Sequence, residues 1–92
     1  MIKVVGNDIW RSAEKLGWFS ENDIYEKNGK KLGYFEDNDI YDSVGKKLGY
    51  IEGDFIRTMD GRSIRLEDNR RHIVGGTISD LERAAIRLLI GD

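Results

Sequence analysis

The chain of 92 residues contains no cysteine and a single histidine, His72. Without thiols there is no disulfide, no thiolate metal site and no cysteine nucleophile, and the composition suits a reducing compartment, so a cytoplasmic protein is expected. A general base working near neutral pH is most often histidine, and no nucleophile motif surrounds any serine; the sequence therefore reads as non-catalytic. An excess of charge of one sign is lacking too, since 15 Lys and Arg against 17 Asp and Glu leave a net charge of -2. That balance offers no whole-chain attraction to nucleic acid or to an anionic membrane, and neither is expected as a partner. Long hydrophobic runs are also missing. Met1 to Asp8 has no apolar core of signal-peptide length, and Leu81 to Ile90 is too short and too charged to span a bilayer.

What the chain does contain is a repeat. GNDIWRSAEKLGWFS starts at Gly6, ENDIYEKNGKKLGYFE at Glu21, DNDIYDSVGKKLGYIE at Asp37 and GDFIRTMDGRSIRLED at Gly53. Ile9, Ile24, Ile40 and Ile56 align, as do Leu16, Leu32, Leu48 and Ile64. A period of about sixteen residues is too short for a helix pair but fits two short strands and two turns, so each repeat reads as a β-hairpin. Asn28-Gly29, Val44-Gly45 and Asp60-Gly61 sit midway, where glycine supplies the positive φ of a type I turn with a bulge. Such a turn is expected to set Tyr25 opposite Lys31 and Ile24 opposite Leu32. Ile24, Leu32 and Tyr34 then share one face, and Tyr25, Gly33 and Phe35 the other. The first repeat has Ser12-Ala13-Glu14 in place of a glycine turn and needs a turn of another kind.

Met1 to Val5 matches a second arm and Arg71 to Val74 a first arm. The two ends are thus expected to pair as a fifth, composite hairpin that closes the array and removes two exposed edges. Ser79 opens a capping box with Glu82, Gly91 stops a helix, and Leu81, Ala84, Ala85, Leu88 and Leu89 line one stripe of it. The expected fold is mainly β: four tandem hairpin repeats in a closed or flower-like array plus one short C-terminal α-helix. It forms a single domain over 1–92, with the array over 1–78 and the helix over 79–92.

The arms Gly17-Trp18-Phe19, Gly33-Tyr34-Phe35 and Gly49-Tyr50-Ile51 that follow the turns resemble those of the bacterial repeat domains called four-fold beta flowers, over roughly Gly6 to Asp68. The Leu-Gly-Tyr arm is also similar to segments of the PRC-barrel family. The resemblance implies hairpins arranged around a pseudo-symmetry axis and a bacterial origin. It implies no activity, and no catalytic residue carries over from it.

Acidic segments such as Glu36-Asp37-Asn38-Asp39 would suit a hard cation, but Asn and Asp are also what tight turns require, so neither a metal nor a cofactor is expected. Asp23, Asp39 and Asp54 would lie at one rim of the array, and Lys30-Lys31 and Lys46-Lys47 at the other. Trp10, Tyr25 and Tyr41 recur at one position, and Trp18, Tyr34 and Tyr50 at another. Such rows serve as core, as a subunit contact or as a platform for ring-stacking ligands. Ile86 and Ile90 lie off the helix stripe and are the expected contact with a second subunit, through helices meeting at a two-fold axis. The leading expectation is a non-catalytic structural or protein-interaction module that forms a homo-oligomer or binds a protein partner. The alternative is a carbohydrate-like ligand module that uses the six aromatic positions.

Overall fold

A computed structural model describes residues 1–91. Each repeat folds as a hairpin. β1 (Ile2–Val5) is followed by β2 (Asp8–Arg11) with β3 (Glu14–Ser20), β4 (Asp23–Glu26) with β5 (Lys31–Glu36), β6 (Asp39–Asp42) with β7 (Lys47–Glu52), and β8 (Phe55–Thr58) with β9 (Ser63–Arg65). Helix α1 (Leu66–His72), strand β10 (Ile73–Gly75) and helix α2 (Asp80–Leu89) complete the chain. All ten strands form one sheet in the order β10-β1-β2-β3-β4-β5-β6-β7-β8-β9. Its inner face carries the aligned isoleucines, and Ile2, Ile9, Ile24, Ile40, Ile56 and Ile73 are all 0 % exposed. α2 lies against β4 to β7 and β10 and adds Ala84, Ala85 and Ile86 to this core.

The hairpin register differs from expectation by one residue. Tyr25 does face Lys31, but Ile24 faces Gly33, so Leu32 is the extra residue of a β-bulge. Leu16 and Leu48 occupy the same place in their hairpins. Because side chains alternate along a strand, the slip reassigns the faces. Ile24, Gly33 and Phe35 are buried together, whereas Tyr25 and Tyr34 share the outer face. Only the fourth hairpin keeps the simple pairing, Ile56 with Ile64. Glycine is required beside the bulge because of what lies next to it: a Cβ on Gly33 would run into the Tyr41 carbonyl and sit 2.7 Å from Leu89 Cδ2, and one on Gly49 would be 2.8 Å from Leu88 Cδ1. The expected turn glycines hold, with φ of 94° at Gly29, 87° at Gly45 and 96° at Gly61.

The two ends of the array do meet, though not as a composite hairpin. β1 pairs with β10 in parallel, Ile2 with Ile73 and Val4 with Gly75. The ladder stays open between β9 and β10. The intervening residues form α1, whose seven residues rise about 10 Å and carry the chain from one edge to the other. This second helix lies within a segment read as part of the strand array. No side chain caps its N-terminus, and Leu66 and Asn69 are its only buried residues, so it lacks the repeated apolar spacing that marks a longer helix. The Arg70 guanidinium ties it to α2 with bonds of 2.9 and 2.6 Å to the Asp80 carboxylate.

α2 begins and ends as expected. Ser79 and Glu82 form the reciprocal capping box, and Gly91 N–H bonds Ile86 O at 3.0 Å. Ile86 and Ile90, the expected contact with a second subunit because they lie off the helix stripe, turn toward their own chain instead. Ile86 is 0 % exposed and Ile90 packs, half-buried, against the core of its own chain, and α1 packs on the same helix.

Candidate functional site

The bulges decide which side chains meet on the outer face. Asp8, Asp23 and Asp39 open the first arms, and Lys15, Lys31 and Lys47 stand two residues before the inner-face glycine of the second arms. Both sets point outward and pair: Lys15–Asp8 at 3.0 Å, Lys31–Asp23 at 3.1 Å and Lys47–Asp39 at 3.0 Å. These acids and bases are therefore not divided between opposite rims. Each lysine Nζ also lies over the ring of the residue that follows the glycine, 5.5 Å from Trp18, 5.1 Å from Tyr34 and 4.7 Å from Tyr50. An Asp–Lys–ring module thus occurs three times. In the fourth hairpin its members are exchanged: Arg57 lies 4.8 Å from the Phe55 ring, 3.4 Å from Glu52, and donates to Ser63 Oγ at 2.6 Å.

Neighbouring modules are joined by the aromatics. Trp18 stacks on Tyr25 across β3 and β4 with centroids 5.5 Å apart, and Tyr34 on Tyr41 across β5 and β6 at 4.9 Å. At the next such position Tyr50 faces Arg57, and at the other end Trp10 faces Lys3. All six aromatic candidates are half-buried on this face, and none belongs to the core. The Tyr41 hydroxyl donates to Asp39 at 3.4 Å, and its pKa is raised, first by burial and then by the Asp39 charge and hydrogen bond. Each exposed ion pair contributes about 0–1 kcal/mol and each cation–π contact about 0.5–1 kcal/mol, so the modules hold side chains in place more than they stabilise the fold.

This four-hairpin arrangement accords with one further finding: the family model for the 4-fold beta flower protein matches residues 11–83. The chain belongs to that family. No curated protein and no solved structure matches it. In this beta flower chain the three modules fall within the matched span, except for Asp8, which precedes it. The aspartates and lysines of the modules were legible as a recurrent pair seven or eight positions apart, but the hidden bulge left their common face unassigned. Among the described residues of the beta flower there is no cluster of His, Asp and Glu that would hold a metal ion, and no helix is long and apolar enough to cross a membrane.

Proposed function

We propose that this beta flower chain is a non-catalytic interaction module that self-associates through the outer face of its sheet. One observation carries the reading: the half-buried aromatics sit there as preformed stacked pairs set among alternating Lys and Asp, with no helix of the described chain packed over them. Trp, Tyr and Arg are the side chains that dominate protein interfaces, and rings already held by neighbours lose little freedom on binding. A two-fold interface must be complementary to itself, and a surface carrying both charges at regular spacing allows Lys of one copy to meet Asp of the other. The carbohydrate alternative is less well supported. Its rings would need free faces, and those of Trp18 and Tyr34 are engaged by a partner ring and a lysine.

Light scattering coupled to size exclusion at micromolar concentration is expected to give the mass of a dimer or larger. Replacing Tyr34 and Tyr41 together by Ala should return the monomer with the strand signal of circular dichroism retained. A wild-type chain that stays monomeric throughout removes self-association, and a melting-temperature rise with a glycan would then favour the ligand reading.

A further inference from the structure

The two edges of the open sheet are not alike. β10 is blocked, because the Arg83 guanidinium donates to the carbonyls of Ile73 at 3.0 Å and Gly75 at 3.2 Å. β9 pairs only with β8. Bonds from Thr58 N to Arg62 O and from Leu66 N to Asp54 O, both 2.9 Å, set the phase of that ladder, so residues 62, 64 and 66 turn their backbone groups toward β8. Alternate residues of an antiparallel strand turn the other way. The N–H and C=O of Ser63 and the N–H of Arg65 therefore face outward at the edge, while Arg65 C=O starts helix α1 as its N-cap.

Beside this edge is a cleft of about 540 Å³, lined by β9 together with Asp68, Arg71, His72 and Arg87. With Arg65 it holds three arginines and one aspartate, a local positive excess in a chain whose net charge is -2. Arg71 shares its charge with Glu67 at 3.2 Å and Asp68 at 3.9 Å, whereas exposed Arg65 forms no ion pair among the described residues.

We propose that this edge receives an extended acidic segment of a partner protein. Its main chain adds a strand to β9 through Ser63 and Arg65, and its carboxylates meet Arg65 and Arg71. Main-chain bonding along an edge supplies affinity, and alternate side chains supply selectivity. The free backbone donors and acceptor favour a peptide over a phosphate compound, which would use the arginines alone. Charge also disfavours the edge of a second copy, because two β9 strands would bring Arg62 and Arg65 together with their counterparts.

The test uses the full chain and a fluorescein-labelled, N-acetylated hexapeptide of alternating Glu and Val, followed by anisotropy at low salt. Saturable binding is expected, with no binding of the Lys–Val counterpart. Affinity should fall at least roughly tenfold in Arg71→Glu and further in the Arg65→Glu/Arg71→Glu double variant. Ser63→Pro, which removes an outward N–H and spares the ladder to β8, should weaken binding while leaving the circular dichroism unchanged. Amide exchange at Ser63 and Arg65 should slow in the saturated complex. The proposal is overturned by absence of saturable binding up to millimolar peptide. It also fails if a peptide N-methylated at alternate amides binds equally well, or if a short oligonucleotide binds in preference to the peptide.

Discussion

Two kinds of glycine do different work in each hairpin. At Gly29 a Cβ would meet open space and at Gly45 only an ordinary contact with the Tyr34 hydroxyl at 3.5 Å, so φ of 94° and 87° is what demands glycine. Gly29→Val and Gly45→Val should each destabilise by more than ~1 kcal/mol, because a β-branched residue resists positive φ. Gly33 and Gly49 have ordinary φ and are demanded by their neighbours, the carbonyl of the next strand and the leucines of α2. Gly33→Ala should cost about 1–3 kcal/mol by overpacking, although alanine is the smallest possible change. Urea midpoints of the three variants check both statements; a neutral Gly33→Ala would mean that α2 does not press on the bulge. The turn glycines are readable from their recurrent place midway between the two arms, after Asn28, Val44 and Asp60. The packing glycines are not, since their need arises from the next strand, eight positions away, and from α2 leucines 39 and 56 positions away.

At the level of elements, Arg83 and Asp80 hold the C-terminal region in place. The Arg83 side chain is only 16 % exposed and satisfies carbonyls of Ile73, Gly75 and Ile78. Arg83→Met should therefore destabilise by about 1–3 kcal/mol, the penalty for buried carbonyls left without donors. By freeing the β10 edge it should also raise the tendency to aggregate, seen as a rise in scattered light. The hydrogen bonds from Arg70 hold the Asp80 carboxyl below its usual pKa. Because the folded value lies below the unfolded one, this contribution is complete above about pH 4 and is lost as pH falls through the folded value. Asp60 is depressed in the same direction, first by its hydrogen bond from Thr58 and then by that from Arg62. Urea midpoints between roughly pH 5 and pH 2 should fall in the wild type and fall less steeply in Arg70→Ala, which removes the Asp80 part alone. Parallel curves for the two proteins would show that the helix-to-helix bridge does not contribute.

Across the whole molecule, which spans 31 × 29 × 19 Å, the repeats do not behave as a simple stack. Ile2, Ile73 and the aligned isoleucines of all four hairpins share one core with Ala84, Ala85 and Ile86. In a linear repeat array each unit needs only its neighbours, and shortening lowers stability by increments. Here a chain ending at Arg65 would lose β10 and α2 together and expose the inner face of every hairpin. That truncated chain should show no cooperative unfolding transition and little strand signal in circular dichroism. A folded truncation would mean that the hairpins stabilise one another without the closing segment.

The sequence by itself determined the repeat, the hairpin in each copy, the glycine turns, the capped helix and the isoleucine row, because each depends on residues within one period of about sixteen or on a local cap. Tertiary structure decided the rest. The bulge at Leu32 depends on Gly33 lying under α2 and beside Tyr41, so the faces of Tyr25 and Tyr34 could not be assigned from spacing alone. Likewise α1 has too little apolar periodicity to stand out, and Ile86, off the helix stripe read from the sequence, is buried in the core of its own chain. The parallel pairing of β1 with β10 joins residues about seventy positions apart, and such long-range contacts come from burying one shared core rather than from any local pattern.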